Sequence, residues 1–334
     1  MRAYIEINKQ NLIDNYKKIK EQTNKDVICV VKSNAYGHGL LEVTKILSPL
    51  NPKMFAVSTI EEAIMIRKSL IFTPILLLGN CSSFSIASNY RITLTITSLE
   101  YLKKMIKSNL PLFAHLLINT GMNRDGIKVD EINEAIKHIQ KSKVIVKGIF
   151  THITNVEHYE KQCEVFNKAL ELFPHEKLIV HIAASSTYKI KNDTTNAVRV
   201  GLALYGLTGE DGLKPIMSLS CEYCCKIAVK KGDLVSYNNE PCLEDGYIYT
   251  LPIGYADGIF RSSDFEVYSD GLISKIGNIC MDHTMIFSNK EFDSHNKFEL
   301  IGEHLKVIDI ANKNATIPYE IVAKLSSRLK RVVK

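Results

Sequence analysis

The sequence lacks the features that mark membrane and nucleic-acid-binding proteins. It contains no tryptophan in 334 residues, and its longest apolar runs, such as 75–78, are far too short to span a bilayer. The N-terminal segment has no apolar core of the kind found in signal peptides. Basic residues are scattered, except for a cluster at 328–334 that we interpret as a solvated helix or tail, and the net charge is only +6. This composition predicts a cytoplasmic protein with neither a nucleic-acid nor a membrane partner.

Cysteine is also sparse. Eight cysteines are too few for a dense disulfide framework. Cys221, Cys224 and Cys225 have a CxxCC spacing that could belong to a metal or redox site, but no second cysteine pair or HxxxH partner accompanies it, and the segment is strand-like. We interpret them as reduced structural thiols and predict no metal site.

Short apolar strands alternate with helical patterns over the first two-thirds of the chain. The strand candidates lie near 27–32, 54–57, 75–78, 92–95, 113–118, 145–149, 178–182 and 197–200. The helical stretches are 38–48, 60–69, 83–89, 97–108, 129–142 and 156–173, with a shorter piece near 186–191, and capping residues begin two of them at 58–61 and 97–100. Eight fully apolar strands predict a parallel (β/α)8 barrel. A doubly wound open sheet would need fewer strands and a Gly-rich first turn, which is missing.

The pattern changes after about residue 212. Short alternating segments at 234–237, 247–250, 265–268 and 272–276 are punctuated by Gly, Asp and Asn, which is typical of β-structure. We therefore predict two domains, a barrel over 1–212 and a smaller β-rich domain over 213–334 with a closing helix from about Tyr319. Because no low-complexity linker separates them, we expect the domains to pack directly.

One lysine stands at the end of the first apolar run. Lys32 follows 27–31 and opens a loop of small residues over 33–39. Burial at a strand end disfavours the ammonium form, and a neutral amine can attack an aldehyde. The alternative is a lysine that extends its ammonium group into solvent.

Other candidate residues follow later strands, where barrels carry their chemistry. Arg124 follows the fifth strand, His152 the sixth and Ser185 the seventh, and 199–202 closes the eighth. The loops after strands seven and eight often bind phosphate, and the N–H groups of Ser185, Gly201 and Leu202 together with the Ser185 hydroxyl could do so. The alternative for Ser185 is that it only caps a short helix.

Seven motifs in register closely resemble the alanine racemase family of pyridoxal-phosphate enzymes over essentially the whole chain. They are VVKSNAYGHG at 30–39, GMNR at 121–124, FTH at 150–152, RVGL at 199–202, LPIGYADG at 251–258, CMD at 280–282 and TIPYE at 316–320.

The resemblance implies a set of roles for residues at the cofactor. Lys32 would form the Schiff base, and the phosphate would be held by Tyr36, Ser185, Gly201, Leu202 and Tyr319. Arg199 would face the pyridine nitrogen. Because arginine only donates hydrogen bonds, that nitrogen would stay unprotonated and the ring would be a weak electron sink. Such a ring favours racemisation over decarboxylation or transamination.

The resemblance also implies two bases, Lys32 and Tyr255, on opposite faces of the substrate. Lowering the pKa of Tyr255 needs nearby cations, for which Arg199 and His152 are the candidates, and His152 would also lie against the cofactor ring. Tyr255 and Met281 would enter the pocket from the partner subunit of a homodimer with shared active sites. The Met281 N–H and Arg124 would bind the substrate carboxylate.

Two sites depart from the family pattern. Leu117 stands where many members have a carbamylated lysine that accepts a hydrogen bond from the equivalent of Arg124, and Asn119 replaces a nearby aspartate. Ala184 replaces an asparagine. We therefore expect Arg124 to be held by a small anion such as chloride or by another side chain, with Asn119 the nearest in sequence.

The sequence thus predicts an isomerase, a cytoplasmic pyridoxal-phosphate-dependent racemase that interconverts L-alanine and D-alanine, a peptidoglycan precursor. The alternatives are a racemase for serine or another amino acid, a decarboxylase on the same fold, and a non-catalytic cofactor-binding protein.

Overall fold

A computed structural model describes residues 3–209, 212–261 and 264–334. Its strands are β1 (Tyr4–Ile7), β2 (Asp26–Val30), β3 (Met54–Val57), β4 (Ile75–Leu77), β5 (Leu94–Ile96), β6 (Leu112–Leu117), β7 (Val144–Phe150), β8 (Ile179–His181), β9 (Ala197–Val200), β10 (Met217–Cys221), β11 (Cys225–Val229), β12 (Leu234–Val235), β13 (Glu240–Pro241), β14 (Gly246–Leu251), β15 (Glu266–Tyr268), β16 (Leu272–Ser274), β17 (Thr284–Ser288), β18 (Phe298–Ile301) and β19 (Lys330–Val333). Its helical segments are α1 (Lys9–Thr23), α2 (Lys32–Tyr36), α3 (Leu40–Leu47), α4 (Ile60–Lys68), α5 (Phe84–Asn89), α6 (Leu99–Lys107), α7 (Ile132–Gln140), α8 (Tyr159–Leu172), α9 (Val307–Lys313) and α10 (Pro318–Ala323). Short 3₁₀ turns lie at Ser48–Leu50, Val129–Glu131 and Tyr255–Asp257.

Eight parallel strands, β2 to β9, form a nearly closed barrel in the order β4-β3-β2-β9-β8-β7-β6-β5. The two end strands meet through a parallel bridge between Leu76 and Thr93, and the Leu77 N–H donates to the Thr93 carbonyl at 2.8 Å. Every residue of β3, β4 and β5 is buried, which is what an apolar strand covered on both faces requires. The predicted (β/α)8 barrel is confirmed.

The predicted helix starts are confirmed at two capping residues. The Thr59 hydroxyl accepts from the Glu62 N–H at 3.3 Å, and the Glu62 carboxylate accepts from the Thr59 N–H at 3.3 Å, which completes a capping box. Ser98 accepts from the Tyr101 N–H at 3.1 Å.

The short helix predicted near 186–191 does not form. The Thr187 hydroxyl accepts from the Ala184 N–H at 3.1 Å and the segment is a series of turns. Side-chain hydrogen bonds of this kind offer the backbone an alternative to a helix.

A second compact unit comprises the described residues of Met1–Asn11, Tyr36–Gly39 and Lys214–Lys334. It is mainly β, as predicted, with a six-stranded sheet (β16-β15-β18-β10-β1-β19), a three-stranded sheet (β11-β14-β17) and the β12–β13 hairpin. The barrel unit comprises Leu12–Ala35 and Leu40–Leu213. The N-terminal strand thus belongs to the β-rich unit, and the domain boundary at 212 and 213 stays a prediction.

The predicted solvated helix or tail at 328–334 is wrong. Residues 330–333 form β19, which pairs in parallel with β1 along its full length. The Arg331 guanidinium donates to the Gly37 carbonyl at 2.9 and 3.0 Å and to the Leu325 carbonyl at 2.9 Å. The basic run therefore forms part of the sheet, because it pairs with a strand more than 300 residues away in sequence. The predicted closing helix is present as α10, with Pro318 in its first turn.

The CxxCC segment lies where β10 ends and β11 begins, so its strand-like character is confirmed. All eight cysteines are free. Among the described residues, no group of three or more His, Cys, Asp or Glu side chains is arranged to hold a metal ion. No helix in the described ranges has the length and apolar content needed to cross a membrane.

The segment α2, directly after β2, is a single left-handed turn. Ser33, Asn34, Ala35 and Tyr36 all have φ between 52° and 54°. Each non-glycine residue in this conformation costs about 1–2 kcal/mol, so the surrounding contacts must impose it. The Asn34 N–H donates to the Glu62 carboxylate at 3.3 Å, and the Asn34 side-chain oxygen accepts from the Leu40 N–H at 2.8 Å. Asn34 therefore ties the turn to α4 and to the start of α3, both in the barrel unit.

We expect the change in unfolding free energy on substitution of the exposed Ser33 to depend on backbone strain rather than on side-chain size. Ser33→Val should lower the free energy of unfolding by about 1–2 kcal/mol, because a β-branched residue fits poorly at positive φ. Ser33→Gly should change it by no more than about 0.5 kcal/mol, since relief of strain offsets the added freedom of the unfolded chain. Thermal unfolding of the two variants measures the difference.

Ser85, exposed in α5, is the matched control, because there glycine should be the more harmful substitution. Equal effects of valine and glycine at Ser33 would contradict the left-handed turn.

Candidate active site

Lys32 begins the left-handed turn, at the carboxyl end of the β2 barrel strand. Burial lowers the pKa of Lys32, the Arg124 and Arg199 charges lower it further, and the Glu62 carboxylate opposes them. The amine therefore loses its proton more readily than a solvated lysine, as a nucleophile or base must. This environment favours the predicted reactive lysine over one that extends into solvent.

Arg199 is the centre of a polar network inside the barrel. Its side chain is buried in β9, and its guanidinium donates to Nδ1 of His181 at 2.8 Å, to Nδ1 of His152 at 3.0 Å and to the Thr151 carbonyl at 3.1 Å. The guanidinium carbon lies 5.1 Å from the centre of the Phe150 ring, within the range of a cation–π contact. The surroundings thus fix a positive charge at the carboxyl end of the barrel.

The histidines bound to Arg199 are neutral. Burial and the Arg199 charge lower the pKa of His152 to about 3 and hold that of His181 well below its usual value. His152 is therefore not one of the cations predicted to lower the pKa of Tyr255, because burial, and after it the charge of Arg199, keep its imidazole unprotonated. It presents a flat, neutral ring.

His181 and a third histidine, His115, were not among the residues predicted for the site. Both lie in apolar barrel strands and are fully buried. Their only sequence signal was a lone histidine in such a strand, which does not reveal its partners.

The Ser185 hydroxyl lies against the loop that follows β9. Its oxygen accepts from the Gly201 N–H at 3.0 Å and from the Ala203 N–H at 3.2 Å, and Ser185 and Leu202 are both buried. The predicted phosphate-binding residues of the barrel are therefore together. The alternative, that Ser185 only caps a helix, fails because no helix forms there.

Arg124 was predicted to be held by a small anion or by another side chain, with Asn119 the nearest in sequence, and Asn119 instead bonds its own loop. The Asn119 side-chain oxygen accepts from the Gly121 and Asn123 N–H groups, both at 3.1 Å, and so shapes the loop. The acidic group beside Arg124 is Asp125, at 3.5 Å from Nε, and the arginine side chain is 59% exposed. Leu117 is buried and offers only packing.

A polar cavity of about 320 Å³ adjoins Arg124. It is lined by Leu78, Gly79, Asn80, Thr97, Arg124 and Asp125. The Thr97 hydroxyl donates to the Asn80 side-chain oxygen at 2.7 Å. The cavity lies on the same side of the barrel as Lys32, since its residues follow β4, β5 and β6.

In the β-rich unit, Tyr36 and Tyr319 lie together. Their ring centres are 5.7 Å apart at an angle of 45°. A Cβ on Gly37 would lie 1.9 Å from the Val322 carbonyl oxygen, so only glycine lets the chain pass α10 this closely. The two tyrosines predicted at the phosphate are thus neighbours.

Tyr255 and Met281 are also neighbours. The Tyr255 N–H donates to the Cys280 carbonyl at 3.1 Å, and the Ala256 N–H donates to the Met281 carbonyl at 3.0 Å. Gly254 permits this approach, because a Cβ there would lie 2.3 Å from the Cys280 oxygen. Tyr255 is 40% and Met281 55% exposed in the single chain. The two residues predicted to enter a partner's pocket therefore share one exposed edge.

The barrel residues fit pyridoxal phosphate. Arg199 offers a donor-only group to a pyridine nitrogen, and Lys32 offers an amine of lowered pKa to an aldehyde. His152 supplies a neutral ring, and the polar atoms of Ser185 and the loop after β9 suit a phosphate.

Comparison with known proteins identifies the family and supports the fold. Two family models cover the chain: alanine racemase, N-terminal domain, at 7–209, and alanine racemase, C-terminal domain, at 216–333. Alanine racemase 1 of Bacillus subtilis is 34% identical over 97% of this chain and 90% of its own length. The alanine racemase of Clostridium difficile 630 superposes with a TM-score of 0.94 at 29% identity, covering 100% of this chain and 96% of that one.

A histidine racemase from Leuconostoc mesenteroides subsp. sake superposes with a TM-score of 0.91 at 27% identity, covering 100% of this chain and 98% of that one. The family models together span nearly all of the chain, and the Bacillus subtilis relative matches it over 97% of the chain. The chain therefore belongs to the alanine racemase family of isomerases.

Proposed function

We propose that this protein interconverts L-alanine and D-alanine, using pyridoxal phosphate attached to Lys32. The observation that carries the proposal is the buried Arg199, held by neutral histidines at the same end of the barrel as a lysine of lowered pKa. A group that only donates hydrogen bonds favours an unprotonated pyridine nitrogen. A decarboxylase would gain from a carboxylate at this position, so the arginine argues against that alternative.

The cofactor would be held by the residues that the family motifs provide. Its phosphate would bind Tyr36, Ser185, Gly201, Leu202 and Tyr319. Arg199 would donate to the ring nitrogen, His152 would lie against the ring, and Arg124 would bind a cofactor oxygen. When bound, pyridoxal phosphate links to the substrate amino group and draws electrons from the bonds of the α-carbon.

Racemisation then needs two proton-transferring groups. Lys32 removes or returns the α-proton on one face, and the Tyr255 hydroxyl does so on the other. The Met281 N–H and the Arg124 guanidinium hold the substrate carboxylate, so that the α-proton points at a base. Arg199 limits electron withdrawal by the ring and so restricts the chemistry to removal and return of a proton.

We infer a homodimer in which each site combines a barrel with the partner's Tyr255 edge. The exposure of Tyr255 and Met281 in the single chain supports this arrangement, because a base and a carboxylate-binding group work best away from bulk water. We also propose a cytoplasmic location, which the eight free cysteines support.

A racemase for a larger or more polar amino acid is the second candidate. The polar cavity beside Arg124, with Asn80 and Thr97 in its lining, could accept a side chain that alanine lacks. The likeness to a histidine racemase also favours this candidate. Serine and histidine are therefore the substrates to compare with alanine.

Borohydride reduction of the holoenzyme should attach the pyridoxyl group to Lys32. Peptide mapping by mass spectrometry locates the label. Lys25 is an internal control, because burial lowers its pKa too but it precedes β2 at the opposite end of the strand. A label on Lys25, or on neither lysine, would overturn the assignment.

Purified protein should convert either alanine enantiomer to a racemic mixture, measured by chiral chromatography, and faster than it converts serine or histidine. Tyr255→Phe should abolish racemisation, because one face loses its base, yet keep α-proton exchange in deuterated water for D-alanine alone.

Tyr237→Phe, at an exposed tyrosine of the same unit, is the control and should keep full activity. Exchange of both enantiomers by Tyr255→Phe would refute its role. A faster reaction with serine or histidine would favour the second candidate, and no turnover of any of them would favour a non-catalytic cofactor-binding protein.

Mixing inactive Lys32→Ala and Tyr255→Phe subunits should restore about a quarter of the wild-type rate if random exchange gives mixed dimers with one intact site each. Lys32→Ala mixed with Arg199→Glu is the control, since both lesions lie in the barrel unit and leave no intact site. Exchange demonstrated by mass spectrometry without recovered activity would exclude the shared site.

A further inference from the structure

The hydrogen-bond network of Arg199 extends one residue beyond the proposed site. Nε2 of His181 lies 3.0 Å from Nδ1 of His115, and both rings are fully buried inside the barrel. Phe150 stacks on His181 with ring centres 4.6 Å apart and planes 7° apart. Gly148 makes room for His115, because a Cβ there would lie 2.5 Å from the imidazole. The barrel thus encloses a relay of Arg199, His181 and His115.

Only one arrangement of protons satisfies the contacts of Arg199 and His181, and it leaves the buried Nε2–H of His115 without a partner among the described residues. Arg199 can only donate, so Nδ1 of His181 must accept and its proton must sit on Nε2. That Nε2–H then donates to Nδ1 of His115, which places the His115 proton on Nε2. All imidazoles are neutral, since burial and Arg199 lower the pKa of His115 to about 3 and hold that of His181 well below its usual value.

We propose that His115 is a positioning residue for Arg199, acting by locking His181 in the tautomer that can accept from the guanidinium. The role rests on the proposed function of Arg199 at the cofactor, although the lock itself requires no cofactor. His115 touches neither the reacting atoms nor Arg199, and its effect passes through one hydrogen bond.

Without an acceptor at residue 115, both tautomers of His181 are unfavourable. In its present tautomer the unpartnered buried N–H moves from Nε2 of His115 to Nε2 of His181, the ring that Arg199 contacts, and the hydrogen bond between the two rings is lost. In the other tautomer its Nδ1–H faces a donor of Arg199 and the contact between them is lost. Either outcome loosens the guanidinium that the reaction needs in one place.

Two variants at one site separate this lock from simple packing. His115→Gln keeps an acceptor but is a poor match to a flat ring, whereas His115→Phe keeps the ring and removes the acceptor. If His115 only fills space, phenylalanine should be the better replacement. The proposed lock predicts the reverse, with kcat lowered about tenfold in His115→Phe, KM changed far less, and kcat largely retained in His115→Gln.

The tautomers themselves can be read in cofactor-free protein. Histidine labelled with ¹⁵N should give Nε2–H signals for His115, His152 and His181 in the wild type at pH 7. His115→Phe should shift His181 towards the Nδ1–H tautomer or a mixture, and His115→Gln should leave it unchanged.

An Nδ1–H form of His181 in the wild type would overturn the proposal even if neither variant folds. The proposal would also be overturned if His181 kept its wild-type tautomer in His115→Phe, or if kcat were higher in His115→Phe than in His115→Gln. A protein that carries the expected tautomers but racemises no amino acid would instead refute the proposed function and leave the lock in place.

Discussion

The burial of one positive charge is the constraint on which the rest of the site depends. Arg199 lies in a barrel strand, where an unpaired charge would be very costly. Imidazole nitrogens of His181 and His152 and the Thr151 carbonyl accept from its guanidinium. Because these acceptors carry no negative charge, they do not cancel the positive charge of the guanidinium, which acts on its surroundings. Burial lowers the pKa of Lys32, His152 and His181, and the same charge lowers each pKa further, in the case of Lys32 after the larger effect of Arg124.

The lysine of the site is presented by a strained segment rather than by a regular element. Four consecutive residues after Lys32 are left-handed, a conformation that side chains disfavour. Glu62 contributes twice, because its carboxylate completes the cap of α4 and also accepts from Asn34 in the turn. The stability of an ordinary helix start is thus coupled to the geometry of the reactive residue.

Much of the fold was predictable because it follows from local patterns. Apolar runs identified all eight barrel strands, and Thr59 and Ser98 identified two helix starts. One error arose where a distant contact overrode a local signal, because β1 offered an edge to the basic end of the chain, which became β19. Two others arose from local side-chain hydrogen bonds, since Asn119 bonds its own loop rather than Arg124 and Thr187 accepts from the Ala184 N–H where a short helix was predicted.

The sequence by itself determined the barrel, the β-rich second part and the order in which functional residues follow the strands, because hydrophobic periodicity and motif spacing are written along the chain. Only the tertiary structure decided which side chains of the site contact one another and which of them are charged. His115 and His181 lie 66 residues apart, and nothing near either one specifies their contact. Their neutrality, and that of His152, depends on burial and on the field of Arg199, which exist only once the strands are assembled.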